Sequence, residues 1–175
     1  DGCGIAPDDL TLALSRHATS KIDGSDLLNI HTFGFRGEAL PSIASVSRLT
    51  LISRQRGTNQ AWTLGSDEAP SDEPAPAAGR DGTAVGVRDL FYNTPARRRF
   101  LRTERTEYSH LDKVARQIAL SRFGVAFRLN HNGKAILNLP AADSLAEQEE
   151  RIAAICGREF MQHTLYIEHE QGHEV

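Results

Sequence analysis

The sequence is short of cysteine, methionine and aromatic side chains. Only Cys3 and Cys156 occur in 175 residues, far apart in the chain. That excludes a disulfide framework and fits a reducing cytosol, with both thiols as small inert residues. Aromatic residues are 6% of the chain, so Leu, Ile, Val and Ala must fill most of the core. No apolar run approaches the ~20 residues of a membrane span, and no signal peptide opens the chain. Neither sign of charge dominates: 20 Lys and Arg face 23 Asp and Glu, for a net charge of −3. With a pI of about 6.2, a uniformly basic nucleic-acid binder is excluded, although local patches remain open. No GxxxxGK[ST] run occurs, which excludes a P-loop. The seven histidines show no zinc-type spacing with cysteine, and there is no internal repeat.

What is present is a globular balance, 39% apolar and 25% charged, long enough for one domain and part of a second. The two ends read as cuts in a longer parent. The Gly2-Cys3-Gly4 turn has no strand before it, and the strand-like run from Thr164 to His169 ends in a turn with no partner strand after it.

Pro7, Asp8 and Asp9 before Leu10, Ala13, Leu14 and His17 predict a helix, because proline and carboxylates suit a first turn. Polar, glycine-containing stretches surround Leu27, Leu28 and Ile30. A second helix is expected from Gly37-Glu38 through Leu40, Ile43 and Ala44. Alternation around Leu49 and Leu51 predicts a strand at 47–54, and Trp62 with Leu64 marks another. Residues 67–81 hold Asp67, Glu68, Asp72, Glu73 and Asp81 with Pro70, Pro74 and Pro76, and read as a solvated loop. Val85 and Val87 mark a further strand. Leu111, Val114, Ala115 and Ile118 follow the i, i+3, i+4, i+7 spacing of an amphipathic helix. Alternation at Val125, Phe127 and Leu129, then Asn132-Gly133, then Ala135, Leu137 and Leu139, predicts a hairpin. Ser144 with Glu147 forms a capping-box pattern before a helix carrying Ile152 and Ile155. Pro140–Asp143 is the expected domain boundary, dividing 1–142 from 143–175. Interleaved helices and paired strands predict an α+β class, a two-layer sandwich with helices on one face of a mixed, largely antiparallel sheet.

Four segments could carry chemistry. Gly2 and Gly4 let backbone approach a ligand closely, but an ordinary turn also explains them. Gly34, Phe35, Arg36, Gly37 and Glu38 precede a helix whose first N–H groups lack partners. Such an end can hold phosphate, with Arg36 adding charge, or can be a plain helix cap. Thr19, Ser20 and Lys21 place hydroxyls and an ammonium together, suited to phosphate or to helix capping. Arg97, Arg98, Arg99, Arg102 and Arg105 form a basic cluster that suits a phosphate backbone, or a solvated face paired with acids such as Glu107.

Taken in order, several runs resemble the N-terminal ATPase region of the MutL mismatch-repair family, within the GHKL-type ATPase superfamily. They are Gly-Cys-Gly-Ile at 2–5, Arg-His-Ala-Thr-Ser-Lys at 16–21, Gly-Phe-Arg-Gly-Glu-Ala-Leu at 34–40, Gly-Thr at 82–83 and Leu-Phe-Tyr-Asn-Thr-Pro-Ala-Arg-Arg at 90–98. The likeness covers residues 1–140 well, and 144–175 resemble the start of the family's ribosomal-S5-like second domain. It implies ATP and Mg²⁺ as cofactors and ATP-driven dimerisation into a homodimeric clamp. It also implies DNA, the mismatch-recognition protein MutS and a downstream nuclease or helicase as partners, no membrane, and a cytoplasmic, nucleoid-associated location. By the same resemblance Gly2 and Gly4 border the adenine pocket, with Thr83 on the adenine side. Thr19, Ser20 and Lys21 lie near the phosphates. Gly34, Phe35, Arg36, Gly37 and Glu38 form a lid that offers N–H groups to them. Arg97, Arg98, Arg99 and Arg102 face DNA or a subunit interface.

The resemblance also implies what the chain lacks. The adenine-reading Asp, the general-base Glu and the Mg²⁺-binding Asn of the family fall upstream of Asp1, and a phosphate-reaching Lys falls past Val175. The chain alone is therefore expected not to hydrolyse ATP. An alternative reading is a nucleotide-independent DNA-binding module built on the arginines at 97–105.

Overall fold

A computed structural model describes residues 2–21, 34, 36–65 and 73–167. Leu27, Leu28, Ile30, Phe35, and the Asp67, Glu68, Pro70 and Asp72 of the expected loop lie outside the described residues. The chain forms two compact units that part between Leu101 and Arg102.

In the first unit, helix α1 (Pro7–Ala13) starts on Pro7 with Asp8 and Asp9 in its first turn. It ends before His17, which adopts φ +64 and turns the chain. Helix α2 spans Ala39–Ala44. Strands β1 (Arg48–Arg54), β2 (Ala61–Leu64), β3 (Ala75–Ala77) and β4 (Gly82–Arg88) form an antiparallel sheet in the order β3-β2-β1-β4. Side chains alternate along a strand, so Leu49, Leu51 and Ser53 share one face of β1. Leu51 stands opposite Leu64 on one side and Val85 on the other, and Ser53 stands opposite Trp62 and Thr83. Leu10, Leu51 and Leu64 are fully buried or nearly so, with Ile5, Leu40, Leu49 and Trp62 packed against them. Both helices therefore cover the same face of the sheet, as the α+β reading predicts.

One expectation fails here. The 67–81 stretch is not loop throughout, because Ala75–Ala77 pairs with β2 and places Pro76 opposite Trp62. Proline lacks an N–H to donate, but β3 is an edge strand with pairing needed on one side only. Asp81 of the same stretch accepts from Arg54 Nε at 2.8 Å.

In the second unit, helix α4 (Glu104–Ser121) follows the short α3 (Pro95–Arg98) of the first. It starts well before the periodic residues, because Thr103 caps it by accepting the Thr106 N–H. Leu111 and Val114, expected in the core, are exposed, and the buried position is Ala119. The neighbouring hairpin, β5 (Phe127–His131) and β6 (Lys134–Leu139), has two short strands, too little to cover a helix of 18 residues. Asn132 and Gly133 turn that hairpin with positive φ at both positions, as expected.

Helix α5 (Leu145–Cys156) opens on the predicted capping box. The Glu147 carboxyl is held below the usual carboxylate range by the Ser144 N–H, the Ser144 hydroxyl and the Asp143 N–H. Helix α6 (Arg158–Gln162) follows. The strand expected at 164–169 is absent over 164–167, which have no strand alongside among the described residues, and 168 onward lies outside them.

Arg151 on α5 is 4% exposed, a charge buried in the unit that also buries Ala119, Leu137, Leu139 and Ala142. Its guanidinium donates to the carbonyls of Ala119, Arg122 and Val125 at 3.2, 3.0 and 2.9 Å, and to that of Pro140. Helix ends leave their last carbonyls without intrahelical donors, and Ala119 and Arg122 sit at the end of α4. A buried charge needs such partners, and here all four are backbone oxygens. The rings of Phe123 and Phe127 lie 5.7 and 6.0 Å from the guanidinium carbon. The expected division at 142/143 thus lies within this unit, where one side chain binds backbone before that point from a helix after it. Arg151→Ala would strand these carbonyls, each at a cost of about 1 kcal/mol or more. We expect a stability loss of roughly 3 kcal/mol in urea unfolding followed by circular dichroism. A loss below about 1 kcal/mol would show that the carbonyls find other donors.

Candidate functional site

The segments at 17–21 and 34–38 are 13 or more residues apart in sequence, yet the structure joins them. Gly37 adopts φ +64, and a Cβ there would collide with the carbonyl of Ala18. Two backbones touch at this point, and only glycine fits. Glu38 fastens the same contact. Its Oε1 accepts the His17 backbone N–H at 3.1 Å and lies 2.9 Å from His17 Nδ1. Beside it the Thr19 hydroxyl accepts the Lys21 N–H at 3.2 Å. Lys21 Nζ lies 3.8 Å from the Cβ position of Gly34, so an ammonium stands over that glycine. Ser20 and Arg36 are exposed. Thr19, Lys21, Gly34, Gly37 and Glu38 are thereby tied into one pair of loops, with Ser20 and Arg36 next to them in sequence; residues of these types suit an anion. Helix α2 has six residues, too few for a long helix dipole, and Gly34, Arg36, Gly37 and Glu38 lie before it.

A second group forms at the other end of α1. Gly4 has φ +76, and a Cβ there would collide with the Arg54 carbonyl at the end of β1. The Cys3 carbonyl accepts the Arg56 N–H at 2.9 Å. The Ile5 N–H donates to Ser53 Oγ at 2.7 Å, and Ser53 Oγ lies 2.9 Å from Thr83 Oγ1 and 3.2 Å from the Gly82 carbonyl oxygen. Gly2 has open space where a side chain would be. Gly4 and Thr83, 79 positions apart in sequence, are thereby linked through one buried hydroxyl. Sequence reasoning passed over Ser53. Its signal was there: a serine in phase with Leu49 and Leu51, on the apolar face of a strand. Seven helical residues separate the two groups, about 10 Å at the α-helical rise.

Arg97 and Arg98 lie in α3 and Arg99 caps its end, whereas Arg102 and Arg105 belong to the second unit. The segment leading into α3 is firmly set. The Phe91 N–H donates to the Val46 carbonyl at 2.6 Å, Asn93 Nδ2 to the Ser45 carbonyl at 2.9 Å, and Arg48 pairs with Asp89 at 3.1 Å while lying over the Tyr92 ring. Arg97, Arg98 and Arg99 are exposed beyond it. In the second unit the Arg102 N–H donates to Glu107 Oε1 at 2.8 Å.

Known proteins share this sequence and fold. The DNA mismatch repair protein MutL of Pseudomonas fluorescens is 56% identical over 98% of the chain, and that of Aeromonas salmonicida 53% over 98%. The MutL ATPase domain of Aquifex aeolicus, solved in complex with ADP, matches with a TM-score of 0.68 and 28% identity over 89% of this chain and 53% of its own. The chain matches a segment of MutL. It spans about 28% of the length of these curated relatives. A second A. aeolicus MutL ATPase-domain structure matches at TM-score 0.61 and 25% identity, over 97% of this chain and 54% of its own. No protein-family profile matches the chain. The α+β sheet and its covering helices are those of MutL ATPase domains.

Gly37 offers a direct check on the join between the two MutL-like loops. Gly57 also has positive φ, +87, but has nothing within 4 Å of its Cβ position. Backbone strain is therefore common to Gly37→Ala and Gly57→Ala, at about 1–2 kcal/mol. The collision with Ala18 belongs to Gly37→Ala alone. We expect Gly37→Ala to unfold at distinctly lower denaturant than Gly57→Ala, by a further ~1 kcal/mol or more. Equal losses would mean that the two loops do not touch in solution.

Proposed function

We propose that this segment is the nucleotide-binding part of a mismatch-repair ATPase. One observation carries the reading: the Gly37–Ala18 contact gathers Thr19, Ser20, Lys21, Gly34, Arg36 and Glu38, residues that two separate MutL-like runs contribute. ATP fits the two groups at the ends of α1. The phosphates would lie against Lys21, Arg36 and the backbone of Gly34 and Gly37, with the Thr19 and Ser20 hydroxyls beside them. Phe35, in the same lid by resemblance, lies outside the described residues. The base would lie against the open backbone of Gly2 and Gly4, with the Thr83 hydroxyl at its edge. Positive side chains favour the triphosphate electrostatically, and glycines let it approach. The A. aeolicus relative bound to ADP supports a nucleotide as the ligand.

Mg²⁺, when bound, would neutralise phosphate charge during transfer. Among the described residues no group of three or more His, Cys, Asp or Glu could hold it, and no residue of this chain is assigned to it. The base that activates water and the metal-holding Asn belong, by resemblance, to sequence before Asp1. On this reading hydrolysis is a property of the full-length protein.

In that protein, lid closure over ATP would favour a homodimeric clamp on DNA that signals between MutS and a downstream nuclease or helicase, in the cytoplasm at the nucleoid. Arg97, Arg98, Arg99 and Arg102 would contact DNA or the partner subunit. On the family plan residues 1–142 belong to the ATPase domain and 143–175 open a second, ribosomal-S5-like domain.

The test is nucleotide-dependent dimerisation of the full-length protein, by analytical ultracentrifugation with a non-hydrolysable ATP analogue and Mg²⁺. Arg36→Ala should weaken it at least about tenfold, the scale of one charge-assisted contact. Unchanged dimerisation would overturn this site.

A further inference from the structure

A Thr83 hydroxyl at the base edge of the nucleotide needs a partner that orients it. We propose that Ser53 is a positioning residue for base recognition. It locks the Thr83 hydroxyl to the Gly2–Ile5 turn, so that Thr83 presents one defined hydrogen-bonding site to the amino edge of adenine. The inference rests on the nucleotide reading above and extends it to a residue that touches no ligand.

Three observations carry it. Ser53 is fully buried, yet it stands on the apolar face of β1 beside Leu51. Packing alone would place an aliphatic side chain there, so the hydroxyl is retained against the pattern. Its hydrogen bonds join three separate segments: the Ile5 N–H at 2.7 Å, the Gly82 carbonyl at 3.2 Å and the Thr83 hydroxyl at 2.9 Å. Thr83 itself is exposed and sits directly opposite Ser53 across the strand pair.

A serine hydroxyl has one proton and two lone pairs. Ser53 Oγ spends one lone pair on the Ile5 N–H. If its proton goes to the Gly82 carbonyl, the Thr83 hydroxyl donates to the remaining lone pair. Thr83 then faces outward as an acceptor, the partner that an exocyclic amino group needs. If the Ser53 proton goes to Thr83 instead, Thr83 faces outward as a donor. A purine with an amino group at position 6 selects the first arrangement. The same hydroxyl also fixes Ile5, one residue past Gly4, so the turn that borders the base and the threonine that reads it move together.

The experiment is a double-mutant cycle in the full-length protein: wild type, Ser53→Ala, Thr83→Val and the pair. Calorimetry would measure binding of ATP and of purine riboside triphosphate, which lacks the 6-amino group. Ser53→Ala should weaken ATP binding about five- to tenfold, the scale of one lost hydrogen bond. It should weaken purine riboside triphosphate less, so that discrimination between the two falls by the share that Thr83 supplies. In the Thr83→Val background the Ser53→Ala change should have little further effect. Additive losses, or equal losses for both nucleotides, would make Ser53 merely structural and overturn the proposal. If Ser53→Ala does not fold, Ser53→Cys keeps the volume with a weak acceptor and is read by the same criteria. A wild-type protein that binds neither nucleotide would overturn the nucleotide reading itself. A wild type that binds ATP with unchanged discrimination in Ser53→Ala would overturn the Ser53 proposal alone.

Discussion

Two places where backbone lies directly on backbone, Gly37 against Ala18 and Gly4 against Arg54, set where the loops of the first unit can run. Each glycine has a carbonyl where its side chain would be, which excludes any other residue, and its positive φ adds a cost of about 1–2 kcal/mol to a replacement. The contacts act at a distance from the core. Leu10, Leu51 and Leu64 hold α1 to the sheet, and the two glycines then fix the loops that enter and leave α1. The groups proposed for the base and for the phosphates stand at those two ends. A helix of seven residues becomes the spacer between them, and the apolar core sets how far apart they are.

The polar contacts complete what the glycines begin. Glu38 binds both the backbone and the ring of His17, across the same seam that Gly37 closes. Ser53 does the equivalent work at the other end, where a hydroxyl on the apolar face of β1 collects Ile5, Gly82 and Thr83. In the second unit Arg151 has the same role on a larger scale, gathering carbonyls from the end of α4, the following loop and the segment after β6. In all three cases one side chain satisfies backbone groups from segments distant in sequence. Such groups would otherwise be left unpaired as the chain turns.

Much of this was legible from residues alone. Pro7 with Asp8 and Asp9, the alternation at 49–51, Asn132-Gly133 and the Ser144–Glu147 box are local signals, and the elements they predict are where local chemistry puts them. The misses share a cause. The β3 strand Ala75–Ala77 is short and proline-bearing, and exists because β2 offers it an edge. The exposure of Leu111 and Val114 depends on how much hairpin lies against α4. The start of α4 at Glu104 follows from Thr103 rather than from periodicity. At the site the glycine runs were visible as motifs, but their contacts with Ala18 and Arg54 were not. Ser53 went unnoticed because a lone serine within an apolar alternation carries no motif.

The central claim is that the two groups at the ends of α1 form one nucleotide site. Amide hydrogen exchange of the full-length protein, with and without saturating ADP, tests it most directly. The account predicts slower exchange on ADP binding at 2–5, 17–21, 36–38 and 82–83 together, with the β5–β6 hairpin unchanged. Protection at only one of the two groups, or protection confined to 97–105, would contradict it.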